Sequence, residues 1–178
     1  MIETERLVLR RPRLEDAPAL AEAISDPEVM RYIGDGSTGD VDRAERTIER
    51  FLERWAAGGP SQFLIERRAD GRVLGRVGFL VWDCEEWRTG TRAELGDRAE
   101  VEIGWLLARE HWGTGYATEA ALAARDWAWS ELGLRRLVSL ILHGNERSVR
   151  VADKLGESYE RDVTTVFGQT TRLFAVER

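Results

Sequence analysis

The run Ala99 to Ala108, AEVEIGWLLA, followed at once by His111 to Ala120, HWGTGYATEA, constrains this chain more than any other feature. The first stretch alternates and then turns continuously apolar, the pattern of a strand at the centre of a sheet. Two glycines one residue apart then bare the chain at the mouth of a helix. Such a turn lets a helix lie close on a sheet. It also leaves successive N–H groups open at a helix N-terminus, a cradle for phosphate. The glycines alone do not choose between these uses.

The surrounding periodicity builds an α/β domain with a mixed sheet. RLVLRR (6–11) alternates as a strand and Pro12 closes it. Residues 14–25 carry acids in the first turn and apolar residues at helical spacing, and Asp26-Pro27 opens a second short helix. In 40–57 the residues Ile48, Phe51, Leu52 and Trp55 form one stripe of an amphipathic helix that stops at Gly58-Gly59. SQFLIERRA, the turn Asp70-Gly71 and RVLGRVGFLVWD read as a hairpin, and 84–98 as a long polar loop. After the glycine turn come a helix rich in small residues, the strand LRRLVSLILH, the helix NERSVRVADKLG and a terminal hairpin turning at Gly168-Gln169. No repeat or linker divides residues 1–178, so one domain is expected.

The totals narrow the function classes. A net charge of −6 argues against a nucleic-acid footprint spread over the surface, and suits a cationic small-molecule partner. One cysteine, Cys84, excludes an internal disulfide, and with two histidines it offers no recognisable metal spacing. No apolar run approaches a membrane span and MIETERLVLRRP has no signal-peptide core, so the expectation is cytoplasmic, without membrane or nucleic-acid partner.

Three stretches carry candidate chemistry. The glycine turn lacks the Lys-Ser/Thr of a P-loop and the third glycine of a dinucleotide fold, which leaves a metal-free grip on pyrophosphate. In the strand before it, Val101 and Ile103 point to one face, Glu100 and Glu102 to the other. Two carboxylates on so apolar a strand are either paired with arginines or line a cleft and take protons. Gly104 beside them marks a bulge or a close approach by a ligand. The third stretch begins at Asn145, an N-cap, with Ser148 three residues on and Gly156 as the helix stop. If its strand runs parallel to the Glu102 strand, both helix N-termini open on one crevice.

Together ERLVLRRPRLEDAPAL, EIGWLLAREHWGTGYATEA and NERSVRVADKLG resemble the GNAT superfamily of N-acetyltransferases, most closely its RimJ/RimL-like branch, over essentially the whole chain. The resemblance implies a mostly antiparallel sheet splayed at one parallel strand pair and flanked by helices. It implies acetyl-CoA as cosubstrate, with no metal. The family's Gln/Arg-x-x-Gly-x-Gly/Ala signature falls on Trp112, Gly113, Thr114, Gly115, Tyr116 and Ala117, with Trp in the Gln/Arg slot and Thr118 beyond. These residues are expected to hold the pyrophosphate, Leu106, Leu107 and Ala108 to pair with the pantetheine arm, and Asn145 to contact that arm. Arg109, Arg147, Arg150 and Lys154 are candidates to face the phosphates. The implied reaction is direct attack of a primary amine on the thioester, with Glu102 as first and Glu100 as second candidate base and Ser148 as candidate acid. His143 reads as a strand-end residue and Tyr159 as structural. One departure is Glu157 where the family usually has an aromatic after Lys-Leu-Gly.

From Asp83 to Glu102 seven acids stand against three arginines. This segment is either a solvated loop or the border of a pocket for a cationic amine, with Trp82 and Trp87 as its walls or as pins for the loop. The expected acceptor is a peptide N-terminus or a small cationic amine; a domain that senses acetyl-CoA without turnover is the alternative. Seven tryptophans are compatible with a homodimer, although Trp55, Trp105, Trp127 and Trp129 lie on periodic elements and suit a core.

Overall fold

A computed structural model describes every residue from Met1 to Arg178. Its elements in chain order are β1 (Ile2–Glu3), β2 (Leu7–Arg10), α1 (Ala17–Ile24), α2 (Pro27–Met30), α3 (Val41–Ala56), β3 (Gln62–Arg67) and β4 (Val73–Asp83). They continue with α4 (Arg92–Leu95), β5 (Ala99–Leu107), α5 (Tyr116–Glu131), β6 (Arg136–Leu142), α6 (Glu146–Leu155), β7 (Ser158–Thr164) and β8 (Thr170–Glu177).

The local causes are legible. Asp40 caps α3 by accepting from the Arg43 N–H at 2.9 Å, and the helix buries Ala44, Ile48, Phe51 and Trp55 on one stripe. Asp26 caps α2, with Pro27 at its first position. The segment 84–98 is more ordered than a polar loop: it holds α4, a 3-10 turn at Gly96–Arg98 and a bridge between Trp82 and Thr89. A capping box between Thr91 and Glu94 starts α4.

One eight-stranded sheet runs β1-β2-β3-β4-β5-β6-β8-β7, antiparallel throughout except for β5 and β6. β4 and β5 stay paired from Gly75↔Leu107 to Asp83↔Ala99. The parallel pair, by contrast, touches only at Glu102↔Val138 and then parts. The Ser139 hydroxyl spans the start of the gap, donating to the Ile103 carbonyl at 2.9 Å.

The two faces of the sheet differ. On one, Ala120, Ala121, Ala124 and Ala128 of α5 are completely buried, so the helix axis lies close over Phe79, Val101 and Ile103. Trp127 of α5 anchors an aromatic cluster with Phe63 and Phe79 at ring-centroid distances of 5.2 and 5.9 Å, and α6 packs beside α5. On the other face α1, α2 and α3 form a second core with Leu106 at its border. Leu106 therefore stands where the second core meets the parting strands. No helix is long and apolar enough to cross a membrane.

Candidate active site

A groove of about 810 Å³ passes through the parted strands. Trp105 and Leu107 line it from the α5 side, and Val29, Tyr32 and Ile33 from the α1–α3 side. Of the contacts expected from sequence, Leu106, Leu107, Trp112, Gly113 and Gly115 reach its wall, as do Tyr116, Ala117 and Thr118 at the start of α5. Asn145 and Ser148 close it from α6. Ala108 and Thr114 stand off the wall: Ala108 N–H is spent on the Leu74 carbonyl, and the Thr114 hydroxyl donates to His111.

The glycine turn is built for backbone contact. Gly113 and Gly115 sit at φ 76° and 88°, the left-handed region that a side chain disfavours. The first N–H groups of α5 have no intrahelical acceptor, and with the turn they leave donors open at the groove wall, an arrangement that suits an anion. Trp112, in the slot of a longer polar side chain, donates its indole N–H to the Leu107 carbonyl at 2.9 Å, tying the turn to the end of β5. The N-terminal strands lock the other side. Glu119 accepts from Thr4 Oγ1 at 2.6 Å and Arg6 Nε at 2.7 Å, and Arg6 Nη1 donates to the Thr114 carbonyl at 3.0 Å. Burial pushes the Glu119 pKa up, but the bonds from Thr4 and Arg6 outweigh it and hold the carboxylate below its ordinary range.

The two strand carboxylates divide. Glu100 pairs with Arg136 at 3.2 Å in a cluster that includes Glu160. Glu102 makes no ion pair; its Oε2 accepts from the Trp82 indole N–H at 2.6 Å. Crowding by protein raises the Glu102 pKa, opposed by the Trp82 bond and by the nearby Arg76 charge. Next to it on the same face, Gly104 is bare: a Cβ there would meet only Glu102 Oε1, at 3.9 Å. That leaves a bare hollow over Gly104 between Glu102 and Leu106; of the three only Leu106 lines the groove, and Glu102 stands off its wall.

Asn145 caps α6 through its side chain, which accepts from the Ser148 N–H at 3.2 Å. That leaves the Ser148 hydroxyl on the groove wall. Arg147, Arg150 and Lys154 also line the groove, Arg147 lying 4.4 Å over the Trp112 ring; Arg109 does not line it. His143 is an exposed strand-end residue 3.1 Å from Asp162, and Tyr159 is exposed on β7 against Phe174.

The acidic segment is not the wall of a cation pocket. Asp83 is buried, accepts from the Glu85 and Glu86 N–H groups and lies 3.2 Å from Arg98. Glu85 and Glu86 pair with Arg98 and Arg88, and Glu94 closes its own capping box. Trp82 and Trp87 are both buried and pin the segment against Val138 and Val163. These charges are spent on holding the segment down, so its acidity does not reach the hollow.

Three residues gain a place that their sequence context did not announce. His111 is buried on the groove wall, and burial lowers its pKa. Arg76, in register with Leu106 across the β4–β5 ladder, extends over the same face as Glu102. Glu157 is 4% exposed and its Oε1 lies 3.0 Å from the Ser139 hydroxyl. Only the period-2 alternation of β4 pointed toward Arg76; nothing in the sequence pointed inward at Glu157 except its departure from an aromatic.

Comparison with known proteins adds to this geometry. The model of the acetyltransferase (GNAT) domain family matches residues 6–157. An uncharacterised N-acetyltransferase of Bacillus licheniformis, p20, is 33% identical over 152 residues, spanning 85% of this chain and 79% of that protein. The crystal structure of an acetyltransferase from Agrobacterium tumefaciens aligns with a TM-score of 0.78 at 27% identity, over 99% of this chain and 94% of the other. A RimL ribosomal-protein α-N-acetyltransferase, solved with coenzyme A, aligns with a TM-score of 0.78 over 98% of this chain and 95% of the other. At 14% identity that last likeness is one of fold.

Proposed function

Since this chain belongs to the GNAT acetyltransferase family, and so transfers an acetyl group from acetyl-CoA to an amine, we propose that Glu102 is its general base and that the groove holds the cosubstrate. The observation that carries this reading is the convergence of three parts at Leu106: the groove from the glycine turn, the gap between β5 and β6, and the hollow under Glu102. Bare N–H groups at Gly113–Thr118 receive the pyrophosphate, with Arg147, Arg150 and Lys154 close enough to add charge. The arm then runs along Leu106 and Leu107, whose β6-facing backbone lacks a strand partner.

The acceptor nitrogen attacks the acetyl carbonyl carbon. A C–N bond forms and the C–S bond breaks. The proton leaving nitrogen passes to Glu102, and the departing thiolate takes one from Ser148 or from solvent through it. A raised pKa suits Glu102 to this work, because a more basic carboxylate removes a proton from an ammonium more readily. Glu100, held by Arg136, serves the sheet edge instead.

Glu102→Gln keeps an acceptor for the Trp82 indole, so the fold survives while the base is lost. Thiol release from acetyl-CoA over an amine panel is expected to fall by about 10²- to 10³-fold in kcat. The wild-type rate should also fall as pH drops through a value above the ordinary carboxylate range, and this limb should vanish in the variant. A variant as active as wild type, with the limb intact, would remove Glu102 from the mechanism.

A further inference from the structure

The hollow beside Glu102 holds more positive charge than a site for a simple cationic amine should tolerate. Arg76 extends from β4 over the sheet face that carries Gly104 and Glu102. Its one hydrogen bond donates from Nη1 to Gln62 Oε1 at 2.8 Å, and its guanidinium lies 5.8 Å from the Phe51 ring of α3. Gln62 is itself fixed, because its amide donates to the Phe79 carbonyl at 3.2 Å. Arg76 is thus half-buried and aimed by neutral partners, with no carboxylate in ion-pair contact. Burial lowers its pKa, while the field of Glu102 raises it and that of Arg54 lowers it. Arg54, one helical turn from Phe51 on α3, is the second cation here, half-buried and also without an ion pair.

Of the nine arginines that are not exposed, seven form ion pairs: Arg10, Arg43, Arg67, Arg98, Arg125, Arg136 and Arg172. Arg76 and Arg54 are the exceptions, and they stand close enough for the charge of Arg54 to act on Arg76. A guanidinium that has lost part of its water without gaining an anion is costly, and its forked donors match a carboxylate. One carboxylate, Glu102, acts on Arg76 against two cations close to each other, so the hollow has an anion's place to fill as well as a cation's.

Resting on the acetyl-transfer reading above, we propose that the acceptor is an amine that carries its own carboxylate close by, an α-amino acid, with Arg76 and Arg54 gripping the carboxylate while Glu102 faces the amine. Arg76 then sets specificity. It holds the acceptor with nitrogen toward the Leu106 end of the groove, and it penalises polyamines, whose second cation would fall against a guanidinium.

The test measures kcat/KM by thiol release from acetyl-CoA over the proteinogenic amino acids, each as free acid and as its C-terminal amide, with spermidine and short peptides alongside. The amide nitrogen sheds its proton more easily, so chemistry alone favours the amide and a preference for the acid reports recognition. For the best amino acid, the free acid is expected to exceed its amide by about 10- to 100-fold. Arg76→Gln should bring that ratio close to one, and Arg76→Lys should retain part of it. Because Arg76 is half-buried and its removal can disturb folding, the half-exposed Arg54→Gln gives a second reading, expected to lower the ratio several-fold. Amides, spermidine or peptides preferred by a wild-type enzyme whose turnover depends on Glu102 would overturn the proposal and leave acetyl transfer standing. A ratio unmoved in both arginine variants would also overturn it. No turnover of any amine, despite binding of acetyl-CoA, would sink both readings together.

Discussion

Glu157 binds a proton in the folded protein that the unfolded chain releases. Burial is the main cause, pushing its pKa up to about 8 from 4.5; the neighbouring Glu102 adds to the rise, while Ser139 and Arg125 oppose it. The hydrogen bonding agrees. The Ser139 hydroxyl is within donating distance of both the Ile103 carbonyl and Glu157 Oε1, its single proton serves one of them at a time, and Glu157 Oε2 has no partner. A raised acid stabilises the fold fully below its unfolded pKa, and the benefit drains away as pH climbs toward the folded value. Between about 4.5 and about 8 the loss from this one group approaches 1.4 kcal/mol per pH unit. Glu157→Gln removes the titration, so its denaturation midpoint should gain on wild type steadily from pH 5 to pH 8. Parallel pH profiles for the two proteins would show that Glu157 is ionised in the native state. The role of this residue lay outside the reach of the sequence, because burial of a carboxylate depends on which strand closes over it.

The strand–turn–helix unit from β5 to α5 shows where sequence reading succeeds and where it stops. Alternation placed Val101 and Ile103 against the core and the carboxylates opposite, and the two glycines placed the turn. Those are local patterns, written within a few residues of one another. What the carboxylates do was not local. Glu100 is taken by Arg136 and Glu102 by Trp82, partners 36 and 20 residues away. The acidic segment misled for the same reason, since its charges are neutralised by arginines and backbone N–H groups that only the folded loop brings near. Within the unit, Gly115 is the most demanding position. At φ 88° a side chain is strained, and its Cβ would stand 3.4 Å from Arg6 Nη2. Gly115→Val is therefore expected to cost about 1–2 kcal/mol of stability and to weaken coenzyme A binding at least tenfold by calorimetry. Unchanged affinity would mean that the pyrophosphate does not lie on this turn.

At the scale of the whole molecule, the fold class and the parallel pair of strands were legible from element order and from the resemblance. The order β6-β8-β7 depends on how the terminal hairpin docks, and no period in the sequence encodes that. The groove draws its walls from α2, β5, α5 and α6, so a ligand seated there touches both cores at once. Binding should then stabilise the entire protein rather than one loop. Coenzyme A at about 100 times its Kd adds about 2.7 kcal/mol, which for a chain of this size raises Tm by about 5–10 °C. Thermal scans with and without coenzyme A check this, and a shift confined to a minor early transition would show that the groove belongs to a locally unfolding part.

The parting of β5 from β6 has a cost of its own. A sheet normally hides its unpaired edges at its two margins, where short strands and charges guard them. This one carries two more in its middle, along β5 beyond Ile103 and along β6 beyond Ser139, rich in leucine and isoleucine. An extended chain of the right reach could add itself there as a ninth strand. In the acetyl-transfer reading the cosubstrate arm takes that place, so the molecule that brings the acetyl group also keeps stray peptide from completing the sheet. Starved of it, the protein would be prone to self-association through its interior rather than its rim.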